Sequence, residues 1–286
     1  MPQHLVIVGA GHAHMTVLKH LGAYLSAGHR VTVVGPSPHH YYSGMGPGML
    51  SGFYRPEEIR FAVGPMARAR GAEFVVDEVA RVDAGRRELH LEGGGRLVYD
   101  VASFNTGSVV PLSPAFRGDA RVVPVKPIEN LLRSRGRILE ALRVKALSLV
   151  VAGGGPAGLE TAANLRRLAS DAGGRAAITL VSGTRLLEGF EERVRALAQR
   201  KLARLGIAVV EGARVESAGG GAAVLSSGRE LAFDFMLMAV GVRPSPLFAG
   251  SGLPTGSDGG LLVNRFLQSP AHPELFGGGD CISFGP

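Results

Sequence analysis

The 286-residue sequence predicts an α/β fold made of two similar units, each built on a parallel sheet. Three observations carry this reading. An apolar strand breaks at glycines and turns helical twice, at His4–Val8 with Gly9-Ala10-Gly11-His12-Ala13-His14, and at Leu147–Ala152 with Gly153-Gly154-Gly155-Pro156-Ala157-Gly158. Each copy is followed by a second β-rich strand and by short alternating strands around a triple glycine, Gly93-Gly94-Gly95 or Gly219-Gly220-Gly221. Each half closes on a further apolar strand that stops at a glycine, Gly107 and Gly241, so the halves read as two copies of one design.

Strand, tight turn and helix in that order are the parts of a dinucleotide-binding unit. Gly9 permits the turn, and Gly11 lets a pyrophosphate approach the backbone at the helix N-terminus. The third position of the motif is His14, so the first helix is expected to sit slightly off the sheet, or the ring to point aside. The second copy has the full spacing, Gly153, Gly155 and Gly158, with Pro156 inside it.

The intervening elements follow in order. Residues 29–34 form a strand ending at Gly35, where such units usually carry an acidic residue for the ribose; Ser37 offers a hydroxyl instead. Residues 41–54 form a glycine-dense loop with aromatics at both ends, unable to hold a regular helix. It reads equally as a wrap for a flat ligand and as a packed surface loop. After residues 101–105 comes Thr106-Gly107-Ser108, then prolines 111, 114 and 124, which place a domain boundary within 111–127. Residues 128–144 read as helices interrupted at Gly136, and 191–205 as an amphipathic helix with Val194, Leu197, Ala198, Leu202 and Leu205 on one side. The strand over 177–181 ends at Ser182-Gly183-Thr184-Arg185 without a carboxylate, which permits the 2′-phosphate of NADPH as well as the free hydroxyl of NADH. Near the end, glycines precede Asp280, an acceptor placed for a sugar-like chain.

Composition sets the bounds. With 45% hydrophobic and 19% charged residues, the chain reads as globular, with the cytoplasm as its expected location. The net charge of +7 comes from scattered arginines without tryptophan or aromatic-basic interleaving, which excludes nucleic acid as the expected partner. It fits a solvated surface or attraction to an anionic membrane face. A single cysteine, Cys281, excludes an internal disulfide and a paired-cysteine redox centre, so redox chemistry must come from a cofactor. His12 and His14 stand two apart at a helix start and face different ways, so no metal site is expected.

With Gly-His-Ala-His at 11–14, Tyr-Ser-Gly-Met at 42–45, Pro-Gly at 47–48 and Val-Lys-Pro-Ile at 125–128, the chain resembles the FAD-dependent pyridine nucleotide-disulfide oxidoreductase superfamily. These are two-dinucleotide-binding-domain flavoproteins. Within the superfamily it is most similar to the type II NADH dehydrogenase-like branch, in particular the domain fused to selenide, water dikinases. The resemblance implies two Rossmann-like FAD/NAD(P)-binding domains in three-layer ββα form, the second inserted in the first. The FAD domain would span 1–115 plus 250–286 and the NAD(P)H domain 116–249; the branch's C-terminal interface and membrane domain is absent from these residues.

By the same resemblance, Gly9, Gly11, His12, His14, Ser37, Tyr42, Ser43, Gly44, Thr106, Gly107 and Asp280 fall on the flavin side, with Asp280 at the ribityl chain. Gly153, Gly155, Pro156, Gly158, Glu160, Arg185, Gly241 and Arg243 fall on the NAD(P)H side. Asn164 stands where type II NADH dehydrogenases carry a second glutamate. The implied reaction is hydride transfer from NAD(P)H to FAD and electron delivery to an acceptor, with a quinone first. That acceptor would put the protein peripherally on the inner face of the membrane. Lys126 is the candidate for stabilising negative charge on the flavin. Two other readings stand beside it: a flavin- or nucleotide-binding sensor or interaction module without turnover, and a ferredoxin-type reductase.

Overall fold

The computed structural model describes residues 1–116 and 118–285. Two compact units emerge: Met1–His40 with Arg60–Val109 and Arg243–Pro286, and Tyr41–Ile59 with Val110–Val242. Relative to the ranges expected from the sequence, 41–59 and 110–115 lie in the second unit and 243–249 in the first.

In the first unit β1 (His4–Val8) leads through the glycine turn into α1 (His12–Lys19), followed by β2 (Arg30–Gly35), β3 (Glu73–Val76) and β4 (Val101–Phe104). With the Leu275–Gly277 strand they form one parallel sheet in the order Leu275–Gly277, β4, β1, β2, β3. A parallel sheet is covered on both faces, and neighbouring residues of β1 go to opposite cores. Ile7 packs with Leu18, Leu21, Val31 and Val33 on the helix side, while Val6 and Val8 pack with Val82, Leu89 and Tyr99 on the side of the antiparallel meander (Val79–Asp83, Glu88–Leu91, Arg96–Val98). These are the three layers the sequence predicts.

The second unit repeats the plan with β5 (Val122–Pro124), α2 (Glu129–Leu142), β6 (Leu147–Ala152), α3 (Pro156–Asp171), β7 (Ala176–Ser182), α4 (Glu192–Arg204), β8 (Ile207–Glu211) and β9 (Phe235–Met238). Its sheet is again fully parallel, in the order β5, β9, β6, β7, β8. The glycine turns coincide in detail. Gly9 N–H donates to the Val34 carbonyl and Gly153 N–H to the Val181 carbonyl, both at 2.8 Å.

Three local expectations are corrected. Helix α2 runs unbroken through Gly136, because a buried stripe of Leu131, Ser134, Ile138 and Leu142 outweighs the ~1 kcal/mol that one exposed glycine costs. The glycine-dense segment does hold a helix, Gly46–Ser51, with Pro47 in its first turn and an αL stop at Gly52. Met49 and Leu50 of that helix are fully buried in the core of the second unit, and Gly46 permits close contact with Ile128 and Leu131. The packed alternative therefore describes 46–51. In α4 only Leu202 is buried; Val194 and Leu197 are exposed.

Candidate functional site

In open α/β sheets, ligands bind outside the carboxyl ends of the strands. In the first unit that edge gathers Gly9 and Gly11 after β1, Ser37 after β2, Thr106 and Gly107 after β4, and Asp280 after the Leu275–Gly277 strand. Gly11 caps α1 in an extended conformation and brings no capping side chain of its own, so only the His14 N–H of the first turn meets a side chain, that of Asn105. The Thr106 hydroxyl is buried without a hydrogen-bond partner, and Asp280 accepts from the Ser108 hydroxyl at 2.7 Å. A helix end begun by glycine, an orphaned hydroxyl and an oriented carboxylate suit a phosphate and a polyol. A flavin dinucleotide carries both groups.

Asn105, which sequence reasoning passed over as a strand end, ties this edge together. Its Nδ2 donates to the Gly278 carbonyl at 2.5 Å, its Oδ1 accepts from His14 N–H at 3.3 Å, and its carbonyl accepts from Gly11 N–H at 3.2 Å. A Cβ on Gly11 would collide with the Asn105 side chain, so the protein itself makes a close approach at position 11. His14 is 3% exposed, with its ring turned under the loop. Nδ1 lies 2.6 Å from the Gly9 carbonyl, which only accepts, so Nδ1 carries the proton and Nε2 accepts from the Ser103 hydroxyl at 2.9 Å. With both ring nitrogens engaged, the side chain supports the loop and has no polar atom to offer a ligand. Burial pulls its pKa down to about 4.

Tyr42, Ser43 and Gly44 lie in the second unit, at the 3₁₀ turn Ser43–Met45. His12 is exposed at the start of α1, and Arg243 pairs with Val109 in a two-stranded ladder of the first unit. Among the described residues no group of His, Cys, Asp and Glu is placed to hold a metal.

The second unit carries a cleft of about 780 Å³ at the carboxyl ends of β5, β6, β7 and β9. Of the expected residues, Lys126, Gly153, Gly155, Pro156, Arg185 and Gly241 line it together. Gly155 caps α3 in an extended conformation without a side-chain cap, and an added Cβ there would meet nothing within 4 Å. That vacant side is the cradle a pyrophosphate fits. Gly158 does different work: a Cβ there would fall on the Gly153 carbonyl oxygen, so it serves the close packing of helix on strand. Glu160 is exposed one turn further on, outside the cleft lining, and its carbonyl accepts from Asn164 Nδ2 at 2.9 Å. Lys126 is set at the rim through Asn130, whose Nδ2 donates to the Pro124 and Lys126 carbonyls at 3.0 and 3.3 Å.

Two glycine-loop units, each presenting a helix end begun by glycine at the carboxyl edge of a parallel sheet, define a two-dinucleotide α/β protein of the oxidoreductase type. The chain belongs to the pyridine nucleotide-disulphide oxidoreductase family, whose model matches residues 3–286. The ligands of this architecture are FAD and NAD(P)H. The chain is 23% identical over 318 residues to the mitochondrial internal alternative NAD(P)H-ubiquinone oxidoreductase A1 of Arabidopsis thaliana, covering 98% of this chain and 61% of that protein. It is 28% identical over 297 residues to the ferredoxin–NAD(+) reductase component of the biphenyl dioxygenase system of Paraburkholderia xenovorans, covering 98% and 67%. In fold it matches the NDH2 of Plasmodium falciparum in complex with NADH, with a TM-score of 0.84, 18% identity, and coverage of 100% of this chain and 65% of that one. The chain thus spans about two thirds of the length of these proteins.

Proposed function

We propose that the protein is an FAD-dependent NAD(P)H oxidoreductase that passes electrons to a quinone. The observation that carries this reading is the open cradle at Gly155, in a second nucleotide unit that repeats the first. Bound FAD supplies the two-electron chemistry. The chain's own residues bind and orient: Gly155 and the α3 N-terminus take the nicotinamide dinucleotide's pyrophosphate, and Asp280 with Thr106 takes the polyol side of the flavin nucleotide. Lys126 supplies positive charge at the cleft rim. These residues hold one cysteine, Cys281, and so contribute no thiol pair to the electron path. The quinone assignment draws on the plant relative, which is named for ubiquinone. With that acceptor the protein works from the cytoplasm at the inner membrane face; among the described residues no helix is long and apolar enough to cross a membrane.

The bacterial relative is named for ferredoxin and supports a second reading, with an iron–sulfur protein as acceptor. The deciding measurement is the visible flavin spectrum of the purified protein, titrated anaerobically with NADH and with NADPH. Bleaching followed by reoxidation with a soluble quinone supports the proposal. Reoxidation by a ferredoxin alone moves the assignment to the second reading. A spectrum that never bleaches makes the protein a binding module.

A further inference from the structure

We infer that the cleft of the second unit is built for the 2′-phosphate of NADPH, with Arg185 and Arg214 as its ligands; this deepens the reading above and rests on it. Sequence order places only Arg185 near the end of β7. The fold brings a second cation to the same place. Gly212 N–H donates to the Thr184 carbonyl and Ala213 N–H to the Ser182 carbonyl, both at 3.2 Å, which folds the segment after β8 across the β7 terminus. Arg214 is then anchored at both backbone polar groups: its N–H donates to Ser226 Oγ at 3.0 Å and its carbonyl accepts from Ser226 N–H at 2.8 Å. Its stem lies across Gly183, where an added Cβ would stand 2.6 Å from Arg214 Cγ and 3.1 Å from Nε. The glycine at 183 is what lets this side chain lie flat over the strand end.

Both arginines line the cleft with Ser182, Gly183 and Thr184. Among the described residues neither guanidinium is engaged in a hydrogen bond or ion pair. Arg185 lies in the field of Glu192, whose carboxylate is already paired with Arg195. The carboxylate that would bind the ribose diol of NADH is missing from the strand end. Glu211, the residue opposite Ser182 in the β7–β8 ladder, accepts from Leu186 N–H and is occupied in holding the loop. Glu188 is the one carboxylate on the lining, against Lys126, Arg185 and Arg214. Two guanidiniums at a strand end recognise a phosphate dianion through charge-assisted hydrogen bonds and offer a neutral diol much less.

The test is calorimetric titration of the full-length protein with NADP⁺ and with NAD⁺, which differ only in the 2′-phosphate. NADP⁺ should bind at least about tenfold tighter at low salt, an advantage that shrinks as ionic strength rises. Arg185→Ala and Arg214→Ala should each weaken NADP⁺ by about tenfold and leave NAD⁺ within about threefold, with Arg214→Lys intermediate. Unchanged thermal melting of the exposed Arg185→Ala variant separates lost recognition from lost folding. Equal affinities, a preference for NAD⁺, or variants that weaken both nucleotides alike would overturn the inference and leave the dinucleotide reading standing. Binding of neither nucleotide would overturn both.

Discussion

The His14 ring donates from Nδ1 to the Gly9 carbonyl at 2.6 Å, across the position that glycine occupies in the second copy of the same motif. In that second copy Gly158 lets the Gly153 carbonyl lie directly against the helix. The two units thus solve one packing problem in two ways: contact through an absent side chain, and a buried imidazole wedge tied on its far side to Ser103.

The wedge makes the first unit sensitive to acid. Burial holds the folded-state pKa of His14 down to about 4, below the ordinary 6.5 of an unfolded chain. The unfolded state therefore takes up the proton first; this contribution to stability is complete above about pH 6.5 and fades as pH falls toward 4. Its size is on the order of 3 kcal/mol. The loss of urea midpoint between pH 7 and pH 4.5 should be smaller in His14→Gln than in the wild type, the remainder including His4, whose pKa burial also lowers. Equal losses in both proteins would contradict the assignment.

The second motif separates a packing glycine from a binding glycine. Gly158→Ala forces a methyl onto the Gly153 carbonyl and should destabilise the protein by about 2 kcal/mol, seen as a lower melting temperature. Gly155→Ala meets no protein atom, so melting should be unchanged while nucleotide affinity falls about tenfold or more, measured by titration of the folded variant.

At the first sheet edge, Asp280→Ala removes a carboxylate that Ser108 orients. The variant should purify with about a tenth of the wild-type flavin content, because a charge-assisted hydrogen bond is worth about 1.5–3 kcal/mol. Stoichiometric flavin in Asp280→Ala would remove it from the binding set.

Lys126 lines the second cleft. By the flavin role that the resemblance implies for Lys126, replacing it with Met should lower the flavin midpoint potential in a spectroelectrochemical titration, without changing flavin content. A potential equal to the wild type would assign Lys126 to the turn at Pro127 alone.

Much of this was legible in the residues. A run such as Leu149–Val151 is apolar on both faces, which specifies a strand buried in a parallel sheet. A glycine at its end specifies a turn that side chains resist, so two such runs declared two nucleotide units. The short strands around Gly93–Gly95 and Gly219–Gly221 were equally plain, because alternation and turn glycines act locally. The segment 46–51 misled for the opposite reason: its glycines read as helix breakers in isolation, and the helix is held by burial of Met49 and Leu50 in the second unit's core.

Sequence by itself therefore determined the two-unit α/β plan, the strand ends that carry the glycine turns and the dependence on a cofactor, since all three follow from local backbone preference and residue chemistry. Tertiary structure alone decided which side chains meet at those ends. Asn105 became the tie of the first edge, His14 a buried wedge in place of a ligand contact, and Arg214 a neighbour of Arg185. These pairings join residues distant in the chain, and only the hydrogen bonds and close packing of the folded sheet bring their side chains within reach of one another.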